Sequence, residues 1–320
     1  MSWWDAVRRE SDDWIVAQLG ADQVPGAEAT RLVRPHNDYL SIHLQSLRIA
    51  YTRKITTRFH GAVYSFAGLP HRSGQKAEFN SITTPGNLRN IDPDRVDRVV
   101  QMSKRIVGPI PYRGGDLELD IGLFSVRVTD LAAPFLDLLE ELSGAAGVAF
   151  VSTMMPFLRP LRKGIEAITG GNSLEVGLSR VFPQPSTGWF VVIAAPKGSV
   201  NVASIRIDPQ DHRIISPEIE RHSYLVFEIS AADQRDDWYL IPELQSTYRR
   251  LQKEAAAGEA TNARAAFQVF RRAVLTNDDL LAQDAQYVVD AVERELTSIQ
   301  GNAAMFPRAE LPPLEALGVR

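Results

Sequence analysis

Between Tyr39 and about residue 232 the chain keeps returning to runs in which alternate residues are apolar; beyond Asp237 its apolar residues fall three and four apart. That change of period constrains the fold most, because side chains alternate across a strand but return to one face of a helix about every 3.6 residues. The runs YLSIHLQSLRIAYT, ITTRFHGAVYSFAGL, AEFNSIT, DLELDIGLF, SLEVGLSRVF, GWFVVIAAP, ASIRID and HSYLVFEISA are rich in β-branched and aromatic residues and read as strands. Residues 242–257, 262–274 and 278–299 read as helices. So do residues 3–19, where Trp3, Trp4, Val7, Trp14, Ile15 and Leu19 supply an apolar side. Residues 92–107 also read as a helix, with Asp92 as cap, Pro93 in the first turn and Val96, Val99, Val100 and Val107 at helical spacing. A helical pair is expected within 130–170, its second member carrying Leu158, Leu161, Ile165 and Ile168 opposite Arg159, Arg162 and Lys163.

Strands and helices do not alternate one for one, which disfavours a doubly wound parallel sheet. The expected class is α+β: an antiparallel β-sandwich-like core with an inserted helical hairpin and a helical C-terminal region. The expected divisions are an N-terminal helix and linker over 1–30 and a strand-rich core over 31–240. A helical region over 241–300 and an irregular tail over 301–320 follow. Pro109, Pro111, Gly114 and Gly115 mark 108–115 as a possible lobe boundary.

The 320 residues include no cysteine, which removes disulfides and thiolate chemistry and fits a reducing cytoplasm. The opening MSWWDAVRRESDDW has acids and tryptophans where a secretory signal needs a basic segment and then an apolar one. No apolar run reaches the length of a membrane-spanning helix. Of 35 basic residues 29 are arginine, a bias that, with abundant alanine, points to a GC-rich bacterial genome.

Net charge is −4, unlike that of a general nucleic-acid binder, but it is unevenly distributed. Residues 31–115 hold 14 Lys/Arg against 5 Asp/Glu, and residues 116–150 hold one arginine against seven acids. A basic segment of this kind suits an anionic partner, nucleic acid or an anionic membrane surface, or the acidic remainder of its own chain. Arg48, Arg53, Lys54, Arg58, Arg113, Arg159, Arg162 and Lys163 are the candidates for meeting an external anion.

Asp116, Glu118 and Asp120 form a row opposite Leu117, Leu119, Ile121 and Leu123. Carboxylates repeating along a strand can hold a hard cation if other oxygens join them, but a half-wet antiparallel strand produces the same row. The apolar residues are expected to be buried and the acids to face out. Asp208, Asp211, Asp233, Asp236 and Asp237, in two acidic loops, are of calcium-ligand type but lack EF-hand spacing. The glycines of GPIPYRGG are followed by no GK[ST], and the chain has neither a G-x-S-x-G elbow nor an H-E-x-x-H pair. No catalytic residue and no cofactor is assigned.

The leading expectation is a non-catalytic bacterial protein–protein interaction or assembly component, working with a protein partner or as a homo-oligomer. Trp3, Trp4 and Trp14, and Leu311, Leu314 and Leu317 in the tail AELPPLEALGV, are its candidate docking residues. The alternatives are a metal-assisted hydrolase using the acidic residues, or an anionic-partner module acting through residues 48–113.

Overall fold

The computed structural model describes residues 14–50, 59–70, 76–82, 99–127, 173–302 and 311–317. They form mostly antiparallel sheets followed by three helices, an α+β arrangement. Two compact units divide the chain: residues 1–35 with 40–231, and residues 36–39 with 232–320.

The first unit carries the sheets. β1 (Trp14–Gln18), β8 (Gly188–Pro196), β11 (Tyr224–Ala232), β2 (Tyr39–Arg48) and β5 (Val99–Pro111) make a five-stranded sheet in that order. β4 (Lys76–Ile82), β3 (Phe59–Pro70), β6 (Leu117–Arg127) and β7 (Ser173–Phe182) make a four-stranded one. The pair β9 (Arg206–Ile207) and β10 (Ile214–Ile215) forms a third.

One apolar cluster draws on both large sheets: Leu40, Ile42 and Leu44 of β2, Leu225 and Phe227 of β11, and Leu117, Leu119, Ile121 and Leu123 of β6 all belong to it. The opposite face of the five-stranded sheet has a cluster of its own. There Val191 and Ile193 of β8 and Tyr224 and Val226 of β11 pack with Ile205, Ile207, Ile214 and Ile219 of the β9–β10 excursion. Burial on both faces explains why GWFVVIAAP is almost continuously apolar, as a strand covered on two sides requires.

Two expected helices are strands where the structure describes them. Residues 14–18 of the expected N-terminal helix are β1, paired antiparallel with β8 from Trp14 opposite Pro196 to Gln18 opposite Phe190. Ile15 and Leu19 fit a helical i, i+4 pair as well as a strand. Docking on β8 decides, because it sends Ile15 into one cluster while Trp14 and Val16 pack against the other. Likewise the expected helix 92–107 gives way to β5 from Val99 onward. Valine is β-branched and suits a strand, a place beside β2 satisfies the main chain, and Val107 is buried there. The expected ASIRID strand shrinks to β9, preceded by a 3-10 turn at Val202–Ser204. The expected hairpin within 130–170 lies outside the described residues, as do Asp92, Pro93 and Val96.

β6 keeps its alternation. Leu117, Leu119, Ile121 and Leu123 are fully buried, while Asp116 is exposed and Glu118 pairs with Lys76 across the sheet. Asp120 departs from the expected outward row: it stands between Phe66 of β3 and Ser179 of β7, in the middle of the sheet, and is buried. Residues 108–115 lie inside the first unit.

The second unit holds α1 (Pro242–Ala256), α2 (Ala260–Thr276) and α3 (Ala282–Asn302). Leu244, Tyr248 and Leu251 of α1 and Phe267, Phe270 and Val274 of α2 are buried, as are Val288, Val289 and Val292 of α3. The stripes follow the three-and-four spacing that the sequence shows.

Candidate peptide-docking groove

In the helical unit a separate stretch of the chain is held against the helices. Residues 311–317, LPPLEAL, end in a single 3-10 turn at Leu314–Leu317, closed by the Ala316 N–H donating to the Pro313 carbonyl at 3.0 Å. Proline fixes its own φ and biases the residue before it toward extended backbone, so Leu311 and Pro312 enter the turn already stretched. The spacing i, i+3, i+6 brings Leu311, Leu314 and Leu317 to one side, and all three are buried, while Pro313, Glu315 and Ala316 are exposed.

The polar contacts go to the main chain of this segment. On α1 the Tyr248 hydroxyl donates to the Pro312 carbonyl at 2.8 Å. The Gln252 side-chain amide donates to the carbonyls of Leu311 at 3.1 Å and Pro312 at 3.2 Å. On α3 the Tyr287 hydroxyl donates to the Leu317 carbonyl at 3.1 Å. Tyr248 and Gln252 lie one turn apart on α1, so they share a face. Burial, helped by the negative charge of Glu295, raises the Tyr248 phenol well above its ordinary range. The hydroxyl therefore keeps its proton and remains a donor. Its ring packs on Phe270 of α2, centroids 5.4 Å apart, which fixes where that hydroxyl points.

Prolines suit this site for a further reason. Neither Pro312 nor Pro313 has an N–H, so the segment brings carbonyls to the donors without bringing main-chain donors that would need acceptors. Burying a leucine contributes about 1.5–3 kcal/mol. Ordering a residue's backbone costs about 1–2 kcal/mol, and less for proline, whose φ is already fixed. Three leucines against seven residues, two of them proline, bring the terms close to balance.

The base of the unit is a buried polar knot. The fully buried Arg235 side chain donates through Nε to Asp237 Oδ1 at 2.6 Å and through Nη1 to the Asp279 carbonyl at 3.2 Å. Its main-chain N–H donates to Asp284 Oδ2 at 3.2 Å. Asn277 Oδ1 accepts the Asp279 N–H at 2.9 Å, and the Leu281 N–H donates to the Tyr39 hydroxyl at 2.8 Å. Burial raises the Tyr39 phenol, and Asp284 beside it adds to the effect. These contacts pin the connection between α2 and α3 and hence the start of the helix that carries Tyr287.

Of the other residues singled out from the sequence, the described ones stand in separate elements. Arg48 donates through Nη2 to the Glu220 carbonyl at 2.6 Å, and its charge lies beside Tyr224, whose phenol burial pushes up to about 12. Arg113 is half-buried after β5, and Trp14 is partly buried in β1. Trp3, Trp4, Arg53, Lys54, Arg58, Arg159, Arg162 and Lys163 lie outside the described residues. Asp208 accepts the Gln210 N–H at 2.8 Å and pairs with Arg213 at 3.3 Å, closing its own turn; the main-chain hydrogen bond from Gln210 is the largest cause of its lowered pKa. Among the described residues no three His, Asp or Glu side chains converge as metal ligands do.

The chain matches no protein family, curated protein or solved structure.

Leu311, Leu314 and Leu317 were recognisable in the sequence as an apolar series between acids and prolines. Tyr248, Gln252 and Tyr287 were not singled out. The available signal was Tyr248 and Gln252 as hydrogen-bond donors at i, i+4, beside the apolar stripe of Leu244, Tyr248 and Leu251.

Proposed function

We propose that the protein is a non-catalytic interaction component: a body built as a β-sandwich, joined to a helical unit that docks polypeptide. The shared apolar cluster of the two large sheets supports reading the body as a sandwich. One observation carries the docking reading. Tyr248, Gln252 and Tyr287 donate to main-chain carbonyls of a leucine- and proline-bearing segment whose three leucines are buried. Side chains that read carbonyls, beside leucine-filled sites, are the parts of a surface that receives an extended peptide.

Fluorescence anisotropy tests this with a labelled peptide of sequence AELPPLEALGV and the full-length chain carrying Leu311→Ser, Leu314→Ser and Leu317→Ser. Saturable binding in the micromolar range is expected, and adding Tyr248→Phe and Gln252→Ala should weaken it. No saturable binding to a variant with native circular dichroism overturns the docking reading.

A further inference from the structure

Resting on that docking reading, we infer that residues 311–317 are a latch: they close the groove in cis and keep it from partner segments of the pattern Leu-Pro-Pro-Leu-x-x-Leu. The ligand chemistry follows from the contacts. Buried leucines at the first, fourth and seventh positions set the spacing, and the exposed residues Glu315 and Ala316 leave the fifth and sixth free. The Pro312 carbonyl takes hydrogen bonds from both Tyr248 and Gln252, so the second position of a partner is held through an atom every residue has. Proline there keeps the backbone extended, removes an N–H and lowers the cost of ordering the segment.

The latch is closed in cis and can be opened by competition. Residues 303–310 join the end of α3 to Leu311. Being joined to its site through so few residues of sequence gives the segment an effective concentration of about millimolar. A free peptide making identical contacts is therefore excluded until it exceeds that level or until a partner presents it with additional contacts. The near balance between leucine burial and backbone ordering keeps the closed state shallow enough for exchange.

The test compares the full-length wild-type chain with the full-length Leu311→Ser, Leu314→Ser, Leu317→Ser variant, using labelled AELPPLEALGV and light scattering of both proteins alone. The latch requires the peptide to bind the variant at least about tenfold more tightly than wild type, with both proteins the same size. It also requires a peptide with alanine in place of both prolines to bind the variant several-fold more weakly. Equal affinity for wild type and variant overturns the latch and leaves the groove standing. Binding to neither removes the groove itself, provided the variant's circular dichroism is native. A wild-type mass of two chains that falls to one in the variant overturns closure in cis in favour of tail exchange between copies.

Discussion

At the scale of single residues, the buried cation Arg235 and the half-buried pair His43 and Glu228 give the sharpest expectations. The Arg235 side chain is fully buried, and its Nε is the partner of Asp237. Removing one member of a buried ion pair strands the other, at a cost of about 3–5 kcal/mol. Arg235→Met should lower stability by about that amount in urea unfolding followed at 222 nm, although methionine fills much of the space. His43 Nδ1 lies 3.3 Å from Ser230 Oγ, and burial, then the nearby charge of Arg105, lowers its pKa. The unfolded chain therefore takes up this proton first as pH falls through about 6.5. Stability supplied by neutral His43 is present above that pH and is lost as pH drops toward the lowered folded-state value. Glu228 runs the other way. Burial raises its pKa against the hydrogen bond from Gln45 at 2.7 Å and the attraction of His212, with Glu28 adding to the rise. Its contribution is complete below the ordinary carboxylate range and is lost as pH rises through the raised value. In melting temperatures measured from pH 4 to 8, His43→Gln should flatten the fall on the acid side of neutrality, and Glu228→Gln should flatten the opposing slope. Unchanged profiles would show that neither group titrates as its surroundings require.

At the scale of elements, β6 shows which part of an alternating pattern is legible and which is not. The apolar half followed from period two alone, because a strand beside a core has one face to bury. The fate of the acids depended on neighbours: Glu118 met Lys76, and Asp120 came to lie between Phe66 and Ser179. Glu118→Gln should change stability by no more than about 1 kcal/mol, as exposed ion pairs do. Ile121→Ala, which empties a buried site on the same strand, should cost about 2–5 kcal/mol. A chemical denaturation series on the two variants separates these. Gly108 in β5 is a second case. Its φ is +89°, and a Cβ there would stand 2.3 Å from the Leu40 carbonyl oxygen. Gly108→Ala must strain its own backbone and push β5 from β2, so loss of folded yield or a marked drop in melting temperature is expected. The valines within 92–107 also explain why a helix was expected there. Val96, Val99, Val100 and Val107 satisfy helical spacing, but spacing does not reveal that a sheet edge beside β2 is free to receive the segment.

At the scale of the whole molecule, a mutation's effect should depend on which unit it touches and on whether ordering entropy is lost with the contact. Replacing Leu311, Leu314 and Leu317 together with serine removes three buried leucines but also releases seven ordered residues. The global unfolding free energy should then fall by only about 1–2 kcal/mol, far less than three core leucines would cost. A loss near the core value in equilibrium urea unfolding would mean that the segment is part of the helical core and does not open. The sequence by itself determined that strands would dominate to about residue 232 and helices beyond it, that β6 would bury its face of Leu117, Leu119, Ile121 and Leu123, and that the tail carried leucines between acids and prolines. Those are local properties, fixed by the period of side chains along one element. Tertiary structure alone decided that residues 14–18 pair with β8, that β5 is a strand, that Asp120 is covered, and that Tyr248, Gln252 and Tyr287 meet the tail's carbonyls. Each of these depends on residues distant in sequence, so hydrogen bonding and burial choose among conformations that the local pattern leaves nearly equal.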